Sequence, residues 1–405
     1  MRTLLQINVV VNWGSTGHIA EDIGRMVLLK GWKSCIAFGR NERPSQSQLI
    51  KVGTKWDMVC HGLQTRLLDR QGLASARATR ELLKQMDAIK PDIVHLHVIH
   101  GYYLNYPLLF CYLRRQKIPV VWTMHDCWSF TGHCAYYTAE KCNRWQTGCH
   151  HCPQLEAYPR SLWADRSMKN WQEKREAFAS LERLTLVPVS NWLAGELGKS
   201  FLGGKPIVCI HNGVDTDVFR IKESDVKQRL GIAGKKMLLG VASVWDKRKG
   251  LDDFCRLSEV LPPEYALVLV GLSKKQIESL PESVIGLSRT ENVQQLVELY
   301  SAADVFLNPT WEDNFPTTNL EALACGTPVI TYRTGGSVEV ITSDTGYIVE
   351  PGDMDGLLEK ISLVAQRGKD VYRPLCRQYI LDNFRKEDRY EEYFRLYERI
   401  LSGKG

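Results

Sequence analysis

VFLNPTWEDNFPTTNLEALACGTPVITY, residues 305–332, is the stretch on which the fold turns. An apolar run at Val305–Leu307 gives way to a polar loop containing proline. Leu320 to Cys325 reads as a helix start, and a second apolar run follows at Pro328–Tyr332. Continuous apolar runs, as opposed to strict alternation, mark strands buried on both faces, as in a parallel sheet covered by helices.

The same rhythm fills the chain. LLQINVVV, SCIAFGR, DIVHLHV, PVVWTMH, LTLVPVS and IVCIHNG punctuate the first half; MLLGVAS, ALVLVGL, VIGLS, VFLNP, PVITY and GYIVE punctuate the second. Each half therefore reads as a doubly wound α/β domain. A length of 405 residues suits two domains of about 200 each. The expected division is an N-terminal domain over 1–215, with a cysteine-rich loop at 127–153, and a second domain over 235–380. The polar stretch between 212 and 236 reads as a linker. The amphipathic, aromatic-rich RKEDRYEEYFRLYERIL within 381–405 needs a surface and is expected to pack back across the domains.

Bulk properties exclude several classes. No stretch approaches the roughly 18 uninterrupted apolar residues of a membrane span. The N-terminus, MRTLLQINVVVNWGSTGH, lacks a small-residue cleavage site and reads as a first strand running into a loop, which points to a cytoplasmic protein. A net charge of +6 suits anionic partners such as nucleotides, phospholipid headgroups or pyrophosphate-linked lipids, and makes no case for nucleic acid.

In open parallel sheets ligands bind beyond the carboxyl ends of strands. After MLLGVAS, the cations Lys247, Arg248 and Lys249 precede Gly250 and a helix start, a fit for a diphosphate; a plain solvated turn is the competing reading. After VFL, Asp313 and Glu321 flank seven residues that include Asn314, Phe315, Pro316 and Thr317. A loop acid and a helix acid at that spacing can converge on a polyhydroxylated ligand, since a carboxylate accepts two hydroxyls at once. Thr317 or Thr318 is the expected helix cap.

Asn212-Gly213-Val214-Asp215, the Lys249-Gly250 turn, DNFPTTNLEALACGTPVI, TGG at 334–336 and TGYIVEPGD at 345–353 resemble the retaining glycosyltransferases of family 4, in order and spacing, over essentially the whole chain. The resemblance implies a GT-B fold, two facing Rossmann-like domains with an interdomain cleft. It further implies a nucleotide-sugar donor bound mainly by the second domain, an acceptor against the first, and no metal or other cofactor for transfer. Lys249 would hold the diphosphate, Asp313 the sugar hydroxyls and Glu321 the ribose, with Gly335 and Gly336 in a loop of the same face. Two departures stand out: Asp313-Asn314-Phe315-Pro316 replaces an acidic-Gly-Phe-Gly opening, with Glu312 adjacent, and the family's diphosphate arginine falls on Ser243. A serine cannot neutralise a phosphate, so Lys247 or Arg248 would have to take over.

In the first domain, His97 and His125 end buried-looking strands, and His125 matches the family's active-site histidine. The loop NWGSTGHIAED, with Gly14 and Gly17, resembles the glycine loop that approaches phosphates and acceptor. Cys134, Cys142, Cys149 and Cys152 form C-x7-C-x6-C-x2-C, close to the spacing of structural zinc sites, and in a reducing cytoplasm zinc fits better than disulfides. Unligated packing cysteines are the alternative; His133, His150 or His151 could replace one thiolate, and Cys127 falls outside the set. HDxWSxTGxC and GCxxCP resemble a bacterial subgroup from exopolysaccharide, capsule and colanic acid clusters. That implies an oligosaccharide or lipid-pyrophosphate-linked acceptor and work at the inner face of the membrane. The helix-like RSLWADRSMKNWQEKREAF, with Trp163 and Trp171, could lie on a membrane surface, though ordinary packing suits its acids better. The rival readings are a zinc-bearing scaffold with weak catalysis and another GT-B enzyme such as a nucleotide-sugar epimerase.

Overall fold

Strand β1 (Thr3–Asn8) is buried along its entire length, because sheet neighbours flank it and helices cover both faces. In this computed structural model, which describes residues 1–403, it sits inside the first of two units. That unit comprises Met1–His211 and the chain from Arg389 onward. In chain order it continues with α1 (Gly14–Leu29), β2 (Lys33–Phe38), β3 (Gln48–Lys51), α2 (Lys55–Leu68), α3 (Ala76–Ile89) and β4 (Ile93–Leu96). Then come α4 (Tyr106–Gln116), β5 (Val120–Met124), α5 (Ser167–Ala179), β6 (Leu184–Pro188) and α6 (Asn191–Lys199). The strands form one sheet in the order β3-β2-β1-β4-β5-β6, every pair parallel. The direction of winding reverses between β1 and β4.

The second unit, Asn212–Asp388, holds α7 (Val226–Arg229), β7 (Lys236–Val241), α8 (Leu251–Val260), β8 (Tyr265–Val270), α9 (Lys274–Glu278) and β9 (Val284–Leu287). It continues with α10 (Val293–Ala302), β10 (Val305–Asn308), α11 (Thr317–Ala324), β11 (Val329–Tyr332), β12 (Gly346–Val349), α12 (Met354–Arg367) and α13 (Lys369–Asn383). Its sheet runs β12-β11-β10-β7-β8-β9, again wholly parallel, and reverses between β7 and β10.

The stretch read as a linker packs inside the second unit: Lys222 pairs with Glu298 (2.7 Å) and Lys227 with Asp304 (2.6 Å). Helix α14 (Lys386–Leu401) joins the first unit from Arg389 on. Its Tyr390, Tyr393, Phe394, Leu396 and Tyr397 enter one apolar cluster with Ile19, Ile23, Val27 and Trp32. IVCIHNG forms only an isolated bridge, Leu186 to Ile207, and no strand. Conversely β3 has one buried side chain, Ile50, so it leaves no apolar run to read. Trp171 is buried and donates through Nε1 to the Trp145 carbonyl (2.8 Å), whereas Trp163 stays exposed.

Candidate active site

In the second unit the two loops that matter leave β7 and β10, the strands flanking the reversal, where an open sheet offers its crevice. Asp246 caps the turn Lys247–Lys249, its carboxylate accepting from the Lys249 N–H at 3.0 Å. Gly250 follows at φ +75°, and a Cβ there would stand 2.2 Å from the Pro309 carbonyl oxygen, so only glycine lets the loops approach this closely. Three bonds staple them: Trp311 N–H to the Arg248 carbonyl (2.8 Å), the Thr310 hydroxyl to the same carbonyl (3.1 Å), and Arg248 Nη1 to the Glu312 carbonyl (2.9 Å).

The result is an ion pair between Lys249 Nζ and the Asp313 carboxylate, both partly buried. Asp313 takes this place, whereas the adjacent Glu312 is buried. Arg248 braces the loop; Lys247 and Ser243 are exposed. Asn314, Phe315 and Pro316 are buried, and Pro316 occupies the cap position of α11 with no side-chain cap bond. The expected threonine cap is thus corrected: the Thr317 hydroxyl is spent on Glu321. Glu321, in α11, also accepts from the Tyr300 hydroxyl (2.9 Å), and burial raises its pKa. Gly335 (φ +48°) opens a 3-10 turn, Gly335–Val340, that includes Gly336, and the Thr334 hydroxyl ties it to the Thr310 carbonyl at 2.8 Å.

Beneath these loops lies a buried polar network the sequence reading missed. Asn319 Oδ1 accepts from Asn308 (2.8 Å), its Nδ2 donates to Ser337 (3.2 Å), and the Ser337 hydroxyl meets that of Thr331 (2.6 Å). It locks the ends of β10 and β11 to α11. Its only sequence signal is polar residues at strand ends, which any loop also shows.

In the first unit, Gly14 opens α1 just after β1, and a Cβ there would meet nothing within 4 Å. Gly17 is buried in the same first turns. His125 follows β5, and His97 follows β4. His97 Nδ1 stands 3.2 Å from His125 Nε2, His97 Nε2 stands 3.0 Å from Gln6 Oε1, and Gln6 Nε2 donates to the Ala20 carbonyl (2.7 Å). Burial lowers the pKa of His125 to about 4 and that of His97 well below its usual value, so both rings are neutral. Behind them Tyr397 of α14 reaches His95 Nδ1 (2.6 Å), and His95 Nε2 reaches Thr123 (2.7 Å). His100 pairs with Asp126 at 2.8 Å.

The thiols of Cys134, Cys142, Cys149 and Cys152 line one small cavity together with His133 and His150. Cys134 and Cys152 are hydrogen-bonded, which lowers the Cys152 pKa to about 7 and, with burial, raises that of Cys134. Cys149 Sγ accepts from the Gly132 N–H (3.1 Å). His133 Nδ1 is held by Asp69 (2.6 Å), while its Nε2 is buried without a hydrogen-bond partner. Among the described residues no group of three or more His, Cys, Asp or Glu side chains converges closely enough to hold a metal ion. A zinc ion at about 2.3 Å from each sulfur would have to draw the thiolates inward.

Two doubly wound units with polar loops at their switch points make a GT-B fold. The family description "Glycosyltransferase Family 4" matches residues 57–218 and "Glycosyl transferases group 1" matches 222–375. Together they take in all but three of the residues from 57 to 375, and the chain belongs to these glycosyltransferases. It is 23% identical over 377 residues to a protein of Escherichia coli K12 described as a colanic acid biosynthesis glycosyl transferase, WcaC, covering 88% of this chain and 89% of that one. In fold it is similar to sucrose-phosphate synthase from Thermosynechococcus elongatus, with a TM-score of 0.71 at 17% identity over 100% of both chains. It is also similar to Anabaena HepE in complex with UDP-glucose, with a TM-score of 0.66 at 16% identity over 100% of both chains.

Proposed function

We propose that this glycosyltransferase retains anomeric configuration and moves a sugar from a nucleotide-sugar to a lipid-linked oligosaccharide in surface-polysaccharide synthesis. The observation that carries the reading is the Lys249–Asp313 pair at the β7/β10 switch point. A diphosphate there competes for the lysine and releases the carboxylate to accept sugar hydroxyls. Glu321 accepts the ribose diol, and neutral His125 presents an uncharged ring to the sugar. The bond from the anomeric carbon to the diphosphate oxygen breaks while the bond to the acceptor oxygen forms on the same face. The acceptor's proton passes to the departing diphosphate. Protein groups position and stabilise charge, so no side-chain base is needed.

Lys249 and the free N–H groups entering α8 supply the positive charge, and transfer proceeds without a divalent ion. Zinc enters this reading as a structural ion in the cysteine loop. The colanic acid relative supports the pathway, and a nucleotide-sugar donor is in keeping with work in the cytoplasm, at the inner membrane face. Among the described residues no helix is long and apolar enough to cross a membrane. Family membership and the intact ion pair favour this reading over a scaffold or an epimerase.

The test is saturation-transfer NMR against a panel of UDP-, GDP- and other nucleotide-sugars, with UDP-glucose first because HepE holds it. Binding of one donor, slow release of the free sugar as its α-anomer from an α-donor, and activity in EDTA are the expected results. Binding by none of them would sink the reading.

A further inference from the structure

Helix α2 is inside out. A capping box of Thr54 and Asp57 fixes its start, so its register is not in question. Its buried face carries His61 and Thr65, both polar. His61 accepts the Gly72 N–H at Nε2 (2.9 Å) and meets the Ser75 hydroxyl through Nδ1 (2.9 Å), and the Thr65 hydroxyl donates to the His61 carbonyl (3.0 Å). The opposite face carries Trp56, Val59, Leu63 and Leu67, within a sector of about 80° at helical spacing, and all four are exposed. Trp56 is 77% exposed and Leu63 52%. A surface helix of a globular protein normally turns its apolar stripe to the core. Here hydrogen bonds hold the polar face in, and the apolar face is presented outward.

The stripe is extended by a neighbouring loop. The Leu162 N–H donates to the Arg66 carbonyl (2.8 Å), which fastens exposed Leu162 and Trp163 beside the end of α2; Trp163 is 70% exposed. The charge around it is mainly positive. Residues 51–84 hold seven Lys or Arg against three Asp or Glu, a net +4 where the whole chain is +6. One of the three acids, Asp69, is buried against His133. Just past the helix, Arg70, Arg80 and Arg114 line a groove of about 570 Å³ between α3, α4 and α5 together with Arg166, Glu173 and Glu176; Arg166 pairs with Glu173 (2.6 Å), and the other three arginines have no ion-pair partner among the described residues.

We propose that this surface docks on an anionic phospholipid bilayer, with the outer face of α2 and Trp163 entering the headgroup–acyl boundary and the three arginines taking lipid phosphates. Apolar side chains with indoles at their edge suit that boundary. The surrounding cations match a negative leaflet, whereas a second copy of this chain would bring the same positive charge against itself. The inference deepens the lipid-linked acceptor reading but stands on its own observations.

Flotation of the full-length protein with phosphatidylcholine vesicles, alone and with about a third phosphatidylglycerol, tests it. Neither a donor nor activity is needed, so failure of the transferase reading would not move the result. Binding to the anionic vesicles alone, weakened by salt, is expected. The double variant Trp56→Glu/Leu63→Glu should bind at least tenfold more weakly, and Arg70→Glu/Arg114→Glu should lose the preference for phosphatidylglycerol. Both variants should keep the wild-type melting transition and donor binding. Wild-type flotation by Trp56→Glu/Leu63→Glu would overturn the proposal. So would failure of the native protein to float, or a stable dimer that the same variant dissolves, which would show a second copy on this face.

Discussion

His97 Nδ1 and His125 Nε2 face each other at 3.2 Å with their rings stacked, and Gln6 decides which carries the proton between them. The Ala20 carbonyl takes the Gln6 amide N–H, which leaves Gln6 Oε1 to accept from His97 Nε2. His97 then carries its proton on Nε2, its Nδ1 accepts, and His125 must be the Nε2–H tautomer. His97 is therefore a positioning residue for His125. His97→Ala should lower kcat about tenfold, one hydrogen bond's worth, with donor affinity unchanged. Nitrogen-15 NMR should show His125 passing from one tautomer to a mixture. An unchanged His125 signal in that variant would remove the relay.

The Lys249–Asp313 pair predicts opposite effects from its two ends. Lys249→Ala should weaken UDP-glucose binding by about 10- to 100-fold, as loss of a charged hydrogen bond does. Asp313→Asn should bind UDP as tightly as wild type or more so, because the lysine loses its competitor, yet transfer sugar poorly. Calorimetric titration with UDP separates the two; equal losses from both would mean that the pair is merely structural.

Four thiols around one cavity, with the buried Nε2 of His133 beside them, predict one zinc per chain in protein made with zinc present. Asp69 already fixes the His133 ring through Nδ1, as carboxylates behind metal-bound histidines do. Elemental analysis should find the ion, and Cys149→Ser/Cys152→Ser should lose it and melt at lower temperature. Metal-free protein whose melting ignores chelators would leave these as packing cysteines.

Acid should destabilise the first unit through His61. Burial lowers its pKa to about 4 from 6.5, so on acidification the unfolded chain takes up the proton first. The contribution is complete above pH 6.5 and lost as pH falls to about 4, up to ~3 kcal/mol. His61→Gln, which does not titrate, should remove that share of the slope in melting curves recorded across this window. An unaltered slope would show that the ring is solvated.

Much of this was readable in the residues themselves. Val305–Leu307 and Val329–Tyr332 announce buried parallel strands because a strand covered on both faces takes mostly apolar side chains, and that constraint is local. Loop acids and cations after such strands point to the ligand face for the same reason. IVCIHNG shows the limit: an apolar run can be buried with a single bridge and no ladder.

The sequence by itself determined two doubly wound halves, the family, and which loops carry the charges. The tertiary structure decided which of those charges meet. Lys249 and Asp313 are 64 residues apart, and Tyr397 and His95 are 302 apart, so their contacts depend on strand order, which no local pattern encodes. It also decided the direction in which α2 turns. Helical spacing reveals that Trp56, Leu63 and Leu67 share a face, but whether that face is buried depends on what else claims the core, and here the bonds of His61 and Thr65 claimed it first.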